Sequence, residues 1–313
     1  MTVQDVVPQA APIADYMGFV GVSTGASSIN RVFPAWADLL DLPTRRLVGI
    51  DLPLDATPAR YRAALTAIRD DPHHRGALVT THKLGLYKAA HDLFDEVDEF
   101  GRLCGEISSV SKRDGRLLGH AKDPITAGLA VEELLDPGAF EDEAEVVSLG
   151  AGGAGIALSF YLARRDTHPR RVTCTDTDTD RLAHLRSVHR AAALPEIFRY
   201  VQVAGTDDND ALVANLPPGS LIVNATGLGK DRPGSPLGPA VRFPQRSTAW
   251  DFNYRGHLTF LEQATAQQDR GVRVVDGWRY FIHGWTQVVA EVFDLDMSSQ
   301  LVERLADAAA VVR

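Results

Sequence analysis

The sequence predicts an α/β protein of two domains, in which an N-terminal α/β unit precedes a doubly wound parallel sheet. Three observations support this prediction. The chain has 313 residues, which is enough for two domains of ordinary size. Short β-rich apolar runs alternate along it with amphipathic stretches. A glycine cluster, GAGGAG, directly follows the apolar run VVSL and opens an amphipathic stretch.

The composition is that of an ordinary globular protein, with 45% hydrophobic residues, 23% charged residues and a formal net charge of −9. This acidic balance argues against a nucleic-acid partner, because such proteins concentrate Lys and Arg on one face. Polar residues interrupt every apolar stretch before the roughly 18 residues that a membrane helix needs. Residues 1–15 lack a cationic segment before an apolar one, so we expect a short disordered lead-in rather than a secretory signal.

The two cysteines, Cys104 and Cys174, stand far apart and outside any C-x-x-C pattern. Neither a disulfide framework nor a zinc site is therefore suggested. We expect a cytoplasmic protein without a metal, a nucleic-acid partner or a membrane, present as a monomer or a homodimer.

The first domain is expected to alternate strands with helices. Its predicted strands are 16–22, 45–52 and 76–81, and its predicted helices are 32–42, 58–70 and 83–103. Thr57 stands where it would cap the second helix, and Pro58 suits that helix's first turn. Asp114 and Gly115 lie between two extended runs, which indicates a β-hairpin.

The second domain is expected to contain six strands, in the runs VVSL, RRVTCTDT, RYVQVAG, SLIVNAT, STAWDFNY and VRVVDG. Two closing helices, 280–293 and 298–312, have no strand between them and should fold back on the first domain. The predicted limits are residues 1–124 plus 280–313 for a substrate-binding domain and 125–279 for a Rossmann-type dinucleotide-binding domain.

The glycine cluster fits G-x-G-x-x-G at Gly150, Gly152 and Gly155, with Gly153 and Ala154 between them. The first glycine permits the tight turn, the second lets the backbone approach a pyrophosphate, and the third lets the helix pack closely on the strand. Free amides at the start of the helix then face the phosphates. The alternative is a structural turn that binds nothing.

Asp176 ends the next predicted strand, where a carboxylate accepts hydrogen bonds from the ribose hydroxyls of NAD. Thr177 follows it, so the cation usual for NADP is missing there, unless Arg181 swings across to supply it. NAD is the expected cofactor and NADP the alternative. In the other interpretation, Asp176, Asp178 and Asp180 only cap and solvate the next helix.

Lys83 and Asp123 each follow an extended segment of the first domain. A lysine at the mouth of a sheet can hold or donate a proton, and a nearby carboxylate orients it, which suits carbonyl–alcohol interconversion. The alternative is that both are solvated surface charges.

The order of the motifs resembles that of the shikimate dehydrogenase family along nearly the whole chain. The matching segments are LVTTHK (78–83), GHAKD (119–123), GAGGAG (150–155), VNATGLG (223–229) and DFNYRGHLTFL (251–261). The resemblance implies that Lys83 and Asp123 are the catalytic pair, in a cleft between the two domains. It also implies that Asn224 and Thr226 lie near the cofactor.

The same resemblance implies a substrate site, and its residues depart from the family pattern. Ser27, Thr80, Ser108, Tyr254 and Gln287 are the candidate substrate contacts. The family's S-x-S-P appears as Ser-Ser-Ile-Asn at 27–30, and Ser108 stands where the A-x-N-T segment has asparagine.

Two further family positions have lost their polar side chains. Ala121 replaces the asparagine of N-T-D, and Gly284 replaces the glutamine of M-L-x-x-Q, with Gln287 nearby. We therefore expect a nicotinamide-dependent dehydrogenase that acts on a shikimate-like or quinate-like cyclic polyol other than shikimate. The alternatives are an authentic shikimate dehydrogenase and a non-catalytic protein that senses a nucleotide or ligand.

Overall fold

The computed structural model describes residues 14–140, 143–230 and 232–312, which form two six-stranded sheets. The first sheet has the order β2-β1-β3-β5-β6-β4, and only β5 runs antiparallel to its neighbours. Its strands are β1 (Tyr16–Gly21), β2 (Leu47–Asp51), β3 (His74–Val79), β4 (Glu96–Val97), β5 (Ser109–Arg113) and β6 (Arg116–His120). Its helices are α1 (Ile29–Leu39), α2 (Pro58–Asp70), α3 (Lys83–Ala90), α4 (Glu99–Cys104) and α5 (Asp123–Leu134).

The second sheet is entirely parallel, in the order β12-β11-β10-β7-β8-β9. Its strands are β7 (Val146–Leu149), β8 (Val172–Asp176), β9 (Phe198–Gln202), β10 (Leu221–Asn224), β11 (Thr248–Asp251) and β12 (Arg273–Val275). Its helices are α6 (Gly153–Leu162), α7 (Thr179–Ala191), α8 (Thr206–Ala214) and α9 (Thr259–Thr265), and α10 (Trp278–Phe293) and α11 (Ser299–Ala310) follow. All six predicted strands are present, and this order is that of a Rossmann sheet.

The two-domain α/β class is thus confirmed, whereas the domain limits at residues 124 and 279 stay a prediction. The predicted lead-in falls mostly on residues 1–13, which lie outside the described residues. No helix in the described part of the chain is both long enough and apolar enough to cross a bilayer.

The predicted hairpin is confirmed at Asp114 and Gly115. Both residues have left-handed backbone angles, with φ of 51° and 75°, as the two central residues of a type I′ turn require. The turn joins β5 to β6 and so brings the segment before β5 beside the segment after β6.

The prediction of one long helix over 83–103 is wrong. Helix α3 ends at Ala90, and Glu96 and Val97 form the short strand β4 on the edge of the sheet beside β6. Asp98 then starts α4, because its Oδ1 accepts a hydrogen bond from the Gly101 amide at 2.7 Å. Strand pairing and a side-chain cap therefore replace the central turns of the predicted helix.

The second predicted helix of the first domain has the expected bounds but not the expected cap. Helix α2 runs from Pro58 to Asp70, and Thr57 occupies the cap position. The Thr57 side chain makes no capping hydrogen bond; its backbone carbonyl instead accepts from the Arg60 amide at 3.0 Å.

The two closing helices return to the first sheet, as predicted. Residues of α10 and α11 share one buried apolar cluster with β1, α1 and β3. The Trp36 indole nitrogen also donates a hydrogen bond to the Leu305 carbonyl at 2.7 Å. The end of the chain therefore completes the core of the first unit.

Leu305→Ala is expected to lower the free energy of unfolding by about 2–5 kcal/mol, because Leu305 is 0% exposed in this cluster and its loss leaves a cavity. Val311→Ala serves as the control, since Val311 is 87% exposed and should change stability by less than about 0.5 kcal/mol. Urea unfolding of both variants measures the difference, and equal stabilities would contradict this packing.

Candidate active site

The carboxyl ends of the second sheet's strands open onto a cavity of about 450 Å³. Parallel doubly wound sheets bind ligands at this edge, where the connections diverge from the central strands. The strand-end and loop residues lining it include Gly150, Gly152, Thr175, Asp176, Thr177, Arg181, Thr226 and Arg232.

The glycine loop has the geometry that its sequence predicts. Gly150 has φ of 108°, a conformation that side chains other than glycine's rarely adopt. A Cβ added to Gly155 would overlap the carbonyl oxygen of Gly150, whereas one added to Gly152 would meet nothing within 4 Å. Gly153 and Ala154 form the first turn of α6. The loop therefore leaves open space before a helix N-terminus, which suits a pyrophosphate.

Asp176 lies at the wall of this cavity, and its carboxylate is already tied to the loop. It accepts hydrogen bonds from the backbone amides of Ala151 at 2.9 Å and Asp178 at 3.0 Å, and Arg181 lies 4.0 Å away. Asp178 caps α7, because its Oδ1 accepts a hydrogen bond from the Asp180 amide at 2.8 Å. The capping interpretation thus holds for Asp178, while Asp176 faces the cavity.

Asn224 and Thr226 occupy different environments. Asn224 is 0% exposed, donates to Asp251 at 3.0 Å and accepts from the Thr226 hydroxyl at 2.6 Å. Burial raises the pKa of Asp251 to about 6, against the opposing effect of hydrogen bonds from Asn253 and Asn224. Asn224 therefore shapes the loop from beneath, and Thr226 lines the cavity.

Lys83 and Asp123 meet directly. Each begins a helix after a strand of the first sheet: Lys83 starts α3 after β3, and Asp123 starts α5 after β6. The Lys83 ammonium donates a hydrogen bond to Asp123 Oδ2, and their side chains are 20% and 7% exposed. The alternative of two solvated surface charges is therefore wrong. Elsewhere among the described residues, no cluster of three or more His, Cys, Asp or Glu side chains is arranged to hold a metal.

Among the five candidate substrate contacts, Ser108 has the hydroxyl that is most fully used, since it takes part in two hydrogen bonds. It is buried, accepts from the Lys122 amide at 2.7 Å and lies 3.4 Å from the His120 carbonyl. It therefore ties β5 to the end of β6.

The other four candidates lie on separate elements. Ser27 follows a short 3-10 turn and is largely buried, and Thr80 follows β3 with its hydroxyl 3.3 Å from the Val20 carbonyl. Gln287 is half-buried on α10. Tyr254 packs against Trp278, and within the described part of the chain its buried hydroxyl has no hydrogen-bond partner.

Two residues beside the Lys83–Asp123 pair were missed by the sequence analysis. Glu106, before β5, is buried with a pKa raised to about 8, by its burial first and by the Asp123 charge second. Tyr280, on α10, is partly buried with its hydroxyl oxygen fully buried, and its pKa is raised by burial first and by Asp123 and Glu106 second. A charged residue at the head of the β-prone run EISSV was the one available signal for Glu106.

Comparisons with known proteins give consistent results. No family model matches the sequence. The chain is 30% identical over 228 residues to the shikimate dehydrogenase (NADP(+)) of Thermus thermophilus, across 72% of this chain and 73% of that protein. It is 27% identical over 175 residues to the shikimate dehydrogenase (NADP(+)) of Streptococcus suis, across 56% of this chain and 58% of that protein.

A solved structure with a similar fold is that of quinate dehydrogenase from Corynebacterium glutamicum in complex with NAD. It has a TM-score of 0.71 and 22% identity, and the match covers 95% of this chain and 99% of that one. The identity to the Thermus protein, which extends over more than two thirds of both chains, establishes that this chain belongs to the shikimate dehydrogenase family.

Gly155→Ala is expected to destabilise the protein by about 1–3 kcal/mol, because the new methyl group would overlap the Gly150 carbonyl oxygen and lie 3.2 Å from its carbon. Gly152→Ala is the matched control. Its φ of −78° suits alanine and its methyl group meets nothing, so stability should stay equal or rise by about 0.4–1 kcal/mol. Thermal unfolding compares the two, and equal melting temperatures would contradict this loop geometry.

Proposed function

We propose that the protein is a nicotinamide-dependent dehydrogenase, an oxidoreductase that interconverts a ring alcohol and a ring ketone of a shikimate-like or quinate-like cyclic polyol. The observation that carries this proposal is the Lys83–Asp123 ion pair beside the glycine loop. A Cβ added to Gly153 would lie 4.0 Å from Lys83 Cδ, so the lysine side chain reaches the first turn of α6.

The residues at the second sheet fit a dinucleotide. Gly150, Gly152 and the amides that open α6 would hold the pyrophosphate, and Asp176 would accept hydrogen bonds from the adenine ribose. The bound nicotinamide would supply or accept the hydride. We propose NAD as the preferred cofactor, because a 2′-phosphate would approach the Asp176 carboxylate.

Residues of the first domain transfer the proton to or from the substrate. In reduction, Lys83 Nζ donates a proton to the substrate oxygen, and in oxidation it takes the hydroxyl proton. The carboxylate of Asp123 holds the ammonium in one direction and stabilises its charge. Such a pair performs general acid–base catalysis at a carbonyl oxygen.

The substrate is proposed to be a cyclic polyol other than shikimate. Ala121 and Gly284 offer no polar side chain, and the Ser108 hydroxyl is already bonded to the backbone of Lys122. Each substrate hydroxyl left without a partner on binding costs roughly 1–3 kcal/mol. The departures together favour a changed substrate over an authentic shikimate dehydrogenase, and the intact ion pair favours an enzyme over a non-catalytic sensor. We further propose a cytoplasmic location and a monomeric or homodimeric state.

Lys83→Ala is expected to lower kcat by about 10²–10⁴-fold, the usual contribution of a positioned acid or base, with the Kd for NAD changed less than about threefold. The kcat values are measured from the initial rate of change in the absorbance of the reduced nicotinamide, with shikimate, quinate, aminoshikimate and myo-inositol as substrates. Lys88→Ala is the control, because Lys88 is exposed on the same helix.

The outcomes separate the candidate functions. Turnover of shikimate with the highest kcat/KM would identify an authentic shikimate dehydrogenase, and turnover of another polyol would support the changed substrate. Nucleotide binding without turnover of any compound would favour the sensor. A Lys83→Ala variant that kept most of its kcat would remove the lysine from the mechanism.

The second expectation of this proposal concerns the cofactor. Fluorescence titration should give a Kd for NAD at least about tenfold below that for NADP, which corresponds to roughly 1.4 kcal/mol. Asp176→Asn should narrow this ratio, because it removes the negative charge and frees Arg181, now 4.0 Å away, to hold the phosphate. Asp180→Asn is the control, because Asp180 is exposed in the first turn of α7. A lower Kd for NADP in the unaltered protein would overturn the preference.

A further inference from the structure

Glu106 is held beside Lys83 by the backbone. The next residue, Ile107, donates its amide hydrogen bond to the Lys83 carbonyl at 3.2 Å, and Glu106 donates its own to the Gly101 carbonyl at 3.2 Å. Ser108 stands where the family's A-x-N-T segment has asparagine, so Glu106, two residues earlier, stands at the position of that segment's alanine. A carboxyl group therefore stands next to the lysine where the family motif has a methyl group.

The Glu106 side chain points towards the lysine and the glycine loop. The residue is 1% exposed, and neither carboxyl oxygen has a hydrogen-bond partner among the described residues. A Cβ added to Gly153 would lie 2.5 Å from Glu106 Oε2 and 4.0 Å from Lys83 Cδ, so both side chains reach the same point at the start of α6. A buried polar group without a partner is costly, and its retention calls for a physical reason.

The groups facing Glu106 explain its protonation state. They are Lys83 at the start of α3, Asp123 at the start of α5, Asp98 before α4, Cys104 as the last residue of α4, and the Tyr280 hydroxyl from α10. Lys83 is the one cation in this set, and it is engaged by Asp123. A second buried carboxylate would lack a counter-charge, so Glu106 holds a proton near neutral pH.

We propose that Glu106 is the proton store of the active site, which returns a proton to Lys83 after each reduction and takes one from Lys83 before each oxidation. This step rests on the proposed dehydrogenase function. It assigns to Glu106 a positioning and relay part, since the residue acts on the substrate only through Lys83.

The protons balance in this scheme. In reduction, an N–H bond of Lys83 breaks as the substrate oxygen is protonated. The O–H bond of Glu106 then breaks and a new N–H bond forms on Lys83, which leaves Glu106 as a carboxylate. Solvent restores its proton after product release, so each turnover consumes one hydride and one proton. In oxidation, the same transfers run in reverse.

The test compares Glu106→Gln with the unaltered protein, using whichever of shikimate, quinate, aminoshikimate or myo-inositol is turned over. In the unaltered protein, kcat for reduction should fall, and kcat for oxidation should rise, with a midpoint near pH 8, because reduction needs the protonated acid and oxidation the carboxylate. In Glu106→Gln, kcat at pH 7 should drop at least about tenfold, and the midpoint should vanish or move by at least about one pH unit. Glu99→Gln, an exposed carboxyl on α4, is the control.

A second measurement does not depend on turnover. The pKa of Glu106 is about 8 in the folded chain against 4.5 as its ordinary value, so the unaltered protein loses stability as pH rises between these values. Glutamine has no such loss. Without cofactor, the melting temperature of Glu106→Gln should therefore gain on that of the unaltered protein between pH 5 and pH 8, while Glu99→Gln should not.

Each outcome decides the proposal. A lowered kcat with an unmoved midpoint would mean that Glu106 is only structural, and a kcat within tenfold of the unaltered enzyme would also overturn the proton store. If the melting temperatures of Glu106→Gln and of the unaltered protein changed in parallel with pH, Glu106 would ionise like an ordinary glutamate. That result would exclude Glu106 as the proton store. Failure of every compound to be turned over would sink the dehydrogenase proposal and this step with it, whereas normal turnover with unchanged Glu106→Gln kinetics would sink only this step.

Discussion

The ion pair between Lys83 and Asp123 is the contact on which the organisation of the first domain's cleft depends. It joins the helix after β3 to the helix after β6, two segments forty residues apart that lie near each other because the β5–β6 hairpin brings them together. Both side chains are largely buried, so removing either partner would leave a charge with little solvent. The geometry of the fold and the chemistry of the site are therefore linked at this pair.

The second sheet supplies a preformed surface opposite this pair. Gly150 turns the chain in a left-handed conformation, and Gly155 lets α6 pack against that turn. The wall beyond it is fixed by buried hydrogen bonds of Asn224 with Asp251 and Thr226. Rigid support of this kind keeps a binding surface in place before any ligand arrives, which lowers the entropy lost on binding.

Charge around the lysine is unusual for a buried site. Two carboxyl groups, Asp123 and Glu106, surround one ammonium, and α10 adds the buried hydroxyl of Tyr280. The Lys83 ammonium compensates the charge of Asp123. Glu106 therefore either keeps its proton or gives the site a net negative charge. The same helix α10 packs on the first sheet through its apolar residues, which couples the position of Tyr280 to the core of the first domain.

The sequence by itself determined the elements whose signals are local. Apart from β4, the strands of both units follow from runs of β-branched and apolar residues, the Asp114–Gly115 turn from its backbone requirements, and the glycine loop from its spacing after a strand. The pairing of Lys83 with Asp123 was also accessible, because both follow strands of one sheet and match motifs of one family.

Tertiary structure decided what depends on partners distant in the chain. The stretch 83–103 has a helical pattern, yet pairing of Glu96 and Val97 with β6 interrupts it. Ser108 was expected to contact the substrate and Asn224 to lie near the cofactor. Burial and hydrogen bonds from other segments instead turn both side chains into the protein interior. The protonation of Glu106 depends on desolvation and on Asp123, and neither effect can be seen in a window of sequence, because both are set by the folded chain around the residue.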